Sequence, residues 1–253
     1  MPFVIDENVY PVKNNPVISR YMDLTKFVSI LQKKALFFSR VDKLEDPFEG
    51  TLPKSTHDAI TKLLGEAVKA GKLHQMDEVG IEQAASNYIE QFAANKPFTV
   101  VSCWHANKGE NAVMWHAYTN VKAGIMVRST YEKLKDSIKD SIDRVHISEV
   151  KYLDYEKNVM LVNSTNFPFV HKHHFYQDEK EIRALIQVAQ PNSGWNWEIQ
   201  ESQKGLFVKC NPEILIDEVI VAPFAEQSYF DIVRDVSLKY GLDKPVRYSG
   251  LRG

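Results

Sequence analysis

The chain has 253 residues, of which 44% are hydrophobic and 25% charged, with a formal net charge of −2 at pH 7. That balance suits a folded chain long enough to bury a sizeable core, as one large domain or two small ones. Short of a local basic groove, it excludes an electrostatic footprint for duplex nucleic acid or an anionic membrane, and no apolar run approaches the roughly 18 residues of a membrane span.

The N-terminal stretch "MPFVIDENVYPVKNNP" lacks the basic start and apolar run of a signal peptide. Residues 1–19 hold three prolines and little pattern, which reads as an extended arm. Asp23 is a helix N-cap, because Leu24, Phe27, Val28 and Leu31 follow at i, i+3, i+4 and i+7. "ALFFSRV" reads as a strand, broken by Pro47 and Gly50 in "LEDPFEG". Two helices come next: Ile60, Leu63, Leu64, Ala67 and Val68 form one apolar stripe, and Ile81, Ala85, Tyr88 and Phe92 another. This pair forms a helical insertion near residues 55–95.

Beyond residue 97 the segments "FTVVSCWH", "AGIMVRS", "RVHISEVKYL", "EIRALIQVA", "GLFVKCN" and "DEVIVAP" are short, rich in β-branched residues and bounded by turn formers. A helical turn, "ENAVMWHAY", lies between the first two. A last amphipathic helix carries Ile232, Val233, Val236 and Tyr240, and "KPVRYSG" reads as a closing strand. There is no regular β-α alternation and no internal repeat. The expected fold is a single α+β domain over residues 1–253, with a mixed, mainly antiparallel sheet and flanking helices.

Several stretches carry candidate chemistry. In "HKHHFYQDEKEIR", three histidines, two lysines, an arginine, an aspartate and two glutamates occupy thirteen positions. On a strand, Ile182, Ala184, Ile186 and Val188 share one face, and Glu179, Glu181 and Arg183 the other. The charged face is either the wet side of the strand or the wall of a cleft, where a carboxylate held by Arg183 stabilises positive charge on a substrate. His171 and His173 point the same way in an extended chain, yet Lys172 lies between them and no second cluster supplies a metal-ligand spacing, so no metal is expected. Glu149-x-Lys151 with Asp46 upstream is the pattern of a metal-dependent nuclease. Trp104, His105, Trp115, His116 and Tyr118 fall within fifteen residues, either as core or as the edge of a pocket for a flat ligand. The Asp46-Pro47 turn with Glu45 and Glu49 either caps the next element or closes over a ligand. Cys103 and Cys210 lack metal spacing and read as buried thiols in a reducing, cytoplasmic compartment. No phosphate-binding loop, GxGxxG, GxSxG or CxxC occurs.

Four blocks, "SRYMDLTKFVSILQKKALFFSRVDKLEDPFEG", "SCWHANKGENAVMWHAYTNVKAGIMVRST", "KHHFYQDEKEIRA" and "DEVIVAPF…VRYSGL", resemble the bacterial domain-of-unknown-function family 2971. They keep its order and span nearly the whole chain. The stretch "SRYMDLTKFVSILQKKALFFS" is also similar to the first strand and helix of ADP-ribosyltransferase-like toxins, although no Ser-Thr-Ser block follows. That resemblance implies an NAD-consuming enzyme of defence or toxin type, including phage defence, whose target the sequence does not name. Arg20 would anchor a cofactor phosphate or ribose, Ser39 would stand at the pocket wall, and Glu181 or Glu179 would be the strand carboxylate. Tyr21, Trp104 or Trp115 would stack on nicotinamide, with His105 and Arg183 lining the same pocket. Such a carboxylate answers the oxocarbenium charge that builds when the nicotinamide–ribose bond breaks. The alternatives are a non-catalytic module that binds a ligand or partner through the charged strand, and, more remotely, a metal-dependent nuclease using Asp46, Glu149 and Lys151, or the cluster of His171, His173 and His174.

Overall fold

The structure is a computed structural model, and it describes residues 9–141, 144–160, 164–188 and 203–252. The arm expected at the N-terminus begins outside the described residues and stops early, because Val17 already opens strand β1 (Val17–Asp23). β1 is buried from both sides along its middle, so its sequence shows no clean alternation. Helix α1 (Leu24–Lys33) starts at the expected cap: the Asp23 carboxylate accepts a hydrogen bond from the Lys26 N–H at 2.8 Å. β2 (Ala35–Arg40) follows, and the "LEDPFEG" turn leads to helices α2 (Lys54–Lys69) and α3 (Glu78–Ala93), the expected insertion.

The remaining elements keep the expected order, with one expected strand split in two and three short elements added. β3 (Thr99–His105), helix α4 (Ala112–Tyr118) and β4 (Gly124–Thr130) fall where the pattern puts them. Helix α5 (Tyr131–Ser137) was not legible in the sequence; Thr130 caps it. "RVHISEVKYL" breaks into β5 (His146–Glu149) and β6 (Lys151–Leu153), because the first part pairs with residues 182–185 and the second with residues 171–173. β7 (His171–His173), β8 (Glu181–Gln187), β9 (Gly205–Lys209), helix α6 (Pro212–Leu215), β10 (Glu218–Val221), helix α7 (Gln227–Lys239) and β11 (Val246–Tyr248) complete the chain.

Among the described residues nine strands form one sheet, ordered β11-β10-β4-β1-β3-β2-β9, with β8 pairing β3 and β5 away from that path. Its pairings are antiparallel except β10–β11. β6 and β7 make a separate parallel pair. The fold is therefore α+β, with a mixed, mainly antiparallel sheet and flanking helices.

β3 organises the sheet. One of its edges pairs with β8 from Thr99↔Gln187 to His105↔Glu181. The other edge is shared end to end: β1 takes His105, opposite Ser19, and β2 takes Val100 and Val101, opposite Arg40 and Ser39. β1 and β2 must diverge in between, so the sheet forks at Ser102–Trp104. Because successive side chains alternate across a strand, these registers assign faces. Trp104, Ser102, Arg20, Ile182 and Ala184 share one face; His105, Cys103, Tyr21, Glu181 and Arg183 share the other. The main apolar cluster includes Ile18, Phe38, Val100, Trp104, Ile182 and Ala184 from the first face, joined by Phe27 of α1, Leu134 of α5 and Val233 of α7. A smaller cluster of Val41, Val101, Phe169, Val170 and Leu185 packs on the second. No helix among the described residues is long and apolar enough to cross a membrane.

Candidate functional site

The second face carries a closed network of charge. Arg183, fully buried on β8, has five N–H donors and uses all of them. Nε and Nη2 donate to Glu181 at 2.7 and 3.0 Å, Nη1 and Nη2 to Glu49 at 2.8 and 3.0 Å, and Nη1 also to the Phe169 carbonyl at 2.8 Å. Glu49 comes from the "DPFEG" turn. Gly50 ends that turn at φ +66, where an added Cβ would lie 2.5 Å from the Phe169 ring, so both conformation and space call for glycine. Lys172 of β7 lies 2.8 Å from Glu179, 3.5 Å from Glu49 and 3.7 Å from Glu181. Three carboxylates thus meet two cations, one acid in excess.

Electrostatics keeps this network charged. Burial works to raise the Glu181 pKa, but Arg183 and Lys172 outweigh it and hold the carboxyl below its ordinary value. Burial likewise opposes the Lys172 charge, and Glu181, Glu49 and Glu179 overcome it, so that pKa is raised. The strand face is therefore not the wet side, one of the two expectations for it: Glu49 from a distant turn and Lys172 from the adjoining strand cover it. Glu179 is not in the strand row at all. It ends a 3-10 turn (His174–Glu179), and Lys180, left-handed at φ 45, reverses the chain before β8 starts.

A row of rings continues from Glu179. The Tyr118 hydroxyl donates to the Glu179 carboxylate at 2.6 Å. The Tyr118 ring lies 4.8 Å from His105, His105 lies 5.9 Å from Tyr21, and Tyr21 meets Trp115 edge-on at 5.0 Å. His105 is buried, and burial lowers its pKa, so the imidazole is neutral near pH 7. Its Nδ1 sits 3.1 Å from the Glu179 carbonyl. That contact assigns the proton to Nδ1 and leaves a lone pair on Nε2. Tyr118 is 39% exposed, so the row opens to solvent beside Glu179. Burial, then the Glu179 charge, raises the Tyr118 pKa and keeps the hydroxyl a donor. The Cys103 thiol, pushed up by burial and by Glu181, also stays protonated. Neutral imidazole, ionised carboxylate and flat rings side by side suit a ligand on which positive charge develops.

The structure brings together six of the nine expected site residues: Tyr21, His105, Trp115, Glu179, Glu181 and Arg183. Arg20 and Trp104 are not among them. They lie on the opposite sheet face, where Arg20 fills the fork: Nη1 donates to Ser102 Oγ at 2.7 Å and Nη2 to the Phe37 carbonyl at 3.3 Å, with the guanidinium 5.9 Å from the Trp104 ring. Trp104 is fully buried and donates to Ser102 Oγ at 3.3 Å. Ser39 has the right face but stands near the other end of β3, opposite Val101. Glu49, Lys172 and Tyr118 join the site without having been assigned to it. "DPFEG" is the one local signal for Glu49; Lys172 looks in sequence like an interruption between histidines.

Of the residues in the nuclease pattern, Asp46 accepts from the Phe48 N–H at 2.9 Å. Lys151 pairs with Glu149 at 2.9 Å and covers the Tyr10 ring, and among the described residues no three metal-binding side chains gather. His171 is held by the Phe167 carbonyl at 2.7 Å and the Tyr10 hydroxyl at 2.9 Å. A further hollow of about 240 Å³ lies elsewhere, between Leu31, Lys34, Cys210 and Tyr240, and contains none of the network residues.

No family profile matches the chain, and no curated protein matches it in sequence. Among solved structures, Thermus sp. 2.9 DarT in complex with NAD+ is similar at 9% identity and a TM-score of 0.34, over 94% of this chain and 96% of that one. A likeness this distant carries no assignment of chemistry, which has to come from the side chains themselves.

Proposed function

We propose that the chain is an NAD-consuming, ADP-ribosyltransferase-like enzyme that reacts on the Tyr21–His105–Tyr118–Glu179 row. The observation that carries this reading is the Glu179 carboxylate: buried, held by Tyr118 and Lys172, and next to an exposed ring. Nicotinamide leaves with the electron pair of the glycosidic bond, and the ribose carbon becomes cationic. Glu179 stabilises that charge. The acceptor nucleophile forms the new bond and passes its proton to His105 Nε2. Glu179 is favoured over Glu181 because both Glu181 oxygens already accept from Arg183, whereas Glu179 has Lys172 as its one cationic partner within 4 Å among the described residues. Arg20 and Trp104, across the sheet, have no part in the reaction.

The test is nicotinamide release from NAD by the purified chain. The expected result is release by the wild type and a loss of at least 100-fold in Glu179→Gln, with an unchanged melting temperature. Full activity in Glu179→Gln, or neither release nor adduct with the wild type, would refute the reading.

A second reading is a non-catalytic binding module, favoured by the complete closure of Arg183 on Glu49, Glu181 and Phe169. It predicts saturable binding of NAD or another ligand with no product formed.

A further inference from the structure

Helix α4 carries Trp115 and Tyr118, yet its seven residues are too few to hold a place unaided. The chain ties it down at Glu110, just ahead of the Asn111 cap. That carboxylate, 10% exposed, takes four donors. Oε1 accepts from Arg247 Nη1 and from the Gly250 N–H, each at 3.0 Å. Oε2 accepts from the Ser249 hydroxyl and, at 3.4 Å, from Trp115 Nε1. Burial works to raise the Glu110 pKa, but Ser249, Gly250 and Arg247 outweigh it and hold the carboxyl below its ordinary value. Ser249 is itself buried, and its N–H donates to the Val221 carbonyl of β10 at 2.8 Å, so the tie ends on the sheet edge.

From Glu110 the contacts run into the row. Trp115 is fully buried, and Glu110 is the one partner of its indole N–H among the described residues. The Asn111 N–H donates to the Tyr21 hydroxyl at 3.2 Å, and the Asn111 side chain caps α4 by accepting from the Val113 N–H at 2.8 Å. The other end of the helix is held by the Tyr118 hydroxyl on Glu179. α4 thus has a carboxylate at each end, separated by roughly 10 Å of helix at 1.5 Å per residue. One end is tied to β10 and β11, the other to the turn before β8. A shift at the first end is carried to Tyr118 at the second.

We propose that Glu110 is a positioning residue for the Glu179 row: by tying α4 to the turn after β11, it fixes where the Tyr118 hydroxyl stands against Glu179. Glu179 is shared between that hydroxyl and Lys172. With α4 displaced, Tyr118 withdraws and the carboxylate is left to Lys172 alone, turned from the opening beside Tyr118. Misplacement of a reacting group by about 1 Å costs on the order of 100-fold in rate. The loss falls on kcat more than on KM, because the carboxylate answers charge that develops in the transition state. This kinetic outcome rests on the transfer reading above; the placement of Tyr118 is measurable without turnover.

Two measurements on the full chain test it: the NMR signal of Tyr118 in protein labelled at tyrosine Cζ, assigned by its loss in Tyr118→Phe, and nicotinamide release from NAD. Glu110→Gln keeps the shape and one acceptor but turns the other oxygen into a donor. Ser249→Ala removes one donor from the tie without touching the row, and carries the test if Glu110→Gln does not fold. Gly205→Ala, at the far edge of the sheet, is the control for a general loss of stability. The Tyr118 signal is expected to move or broaden in Glu110→Gln and Ser249→Ala and to stay in place in Gly205→Ala. In Glu110→Gln, kcat should fall at least tenfold while KM changes less than threefold; Gly205→Ala should keep both below its melting temperature. An unmoved signal in both tie variants, or an equal displacement in Gly205→Ala, overturns the proposal. So does full turnover in Glu110→Gln beside an active wild type, an outcome that leaves the transfer reading intact. A displaced signal with no nicotinamide release from the wild type does the reverse: the transfer reading fails, and the placement of Tyr118 by Glu110 stands.

Discussion

Arg183 sets the terms at the scale of single residues. A guanidinium with no exposed surface is tolerable only because every N–H has an acceptor and two carboxylates offset its charge. Removing one partner leaves the cation buried and short of bonds, a change that typically costs about 3–5 kcal/mol. Glu181→Ala should therefore lose stability by that order in denaturant titration, and loss of activity in that variant says nothing about catalysis. Glu179 differs, since it borders an exposed tyrosine and gives Lys172 one of three acidic neighbours. A Glu181→Ala protein as stable as the wild type would mean that Arg183 finds another acceptor and that the closed network is not what fixes this face.

At the scale of elements, the fork in the sheet decides what meets what. The alternation in "EIRALIQV" was legible, and the apolar set Ile182, Ala184 and Ile186 does face the main core. What the sequence could not supply was the parity between strands: His105↔Glu181 and Ser19↔His105 together put Tyr21 beside the acids and Arg20 across the sheet. A slip of one residue in either pairing would exchange them, and no local pattern encodes that choice. The burial of the charged face was hidden for a related reason, because its counter-ions come from Glu49 and Lys172, remote in sequence from one another. The far edge is set by β9, where Gly205 lies against β2. A Cβ there would stand 2.0 Å from the Phe38 carbonyl oxygen, a backbone atom that cannot swing away. Gly205→Ala must push β9 off β2, at a cost of about 2 kcal/mol or more. For a chain of this size that lowers the melting temperature by about 4–8 °C, and thermal unfolding followed by circular dichroism would show it. An unchanged melting temperature would mean that the β2–β9 pairing contributes little.

For the whole molecule, the near-zero net charge conceals a division: the main apolar core on one side of the sheet, the buried ionic network beside a smaller apolar cluster on the other. Composition reported the total and not this separation, so the fold class was legible while the site was only partly so. The separation makes stability depend on pH in a definite way. Glu181 has a folded pKa below the ordinary 4.5, so its contribution is fully present above that value and is lost as pH falls toward the lowered one. His105 and His171, buried neutral, have folded values below 6.5, and they too favour the folded state above 6.5 and oppose it below. Lys172 runs the other way: its folded value is raised above 10.5, so its contribution is intact below 10.5 and fades as pH rises past it. Stability should thus hold a plateau between about pH 6.5 and 10.5 as far as these groups decide it, decline first as the histidines charge, and fall more steeply below about pH 4.5. Denaturant midpoints measured across that range would trace the curve. Glu181→Gln should remove much of the steep acid limb while leaving the decline near pH 6 in place, because the two arise from different groups. An acid limb of undiminished steepness in that variant would show that Glu181 is ionised no more readily in the folded chain than in the unfolded one.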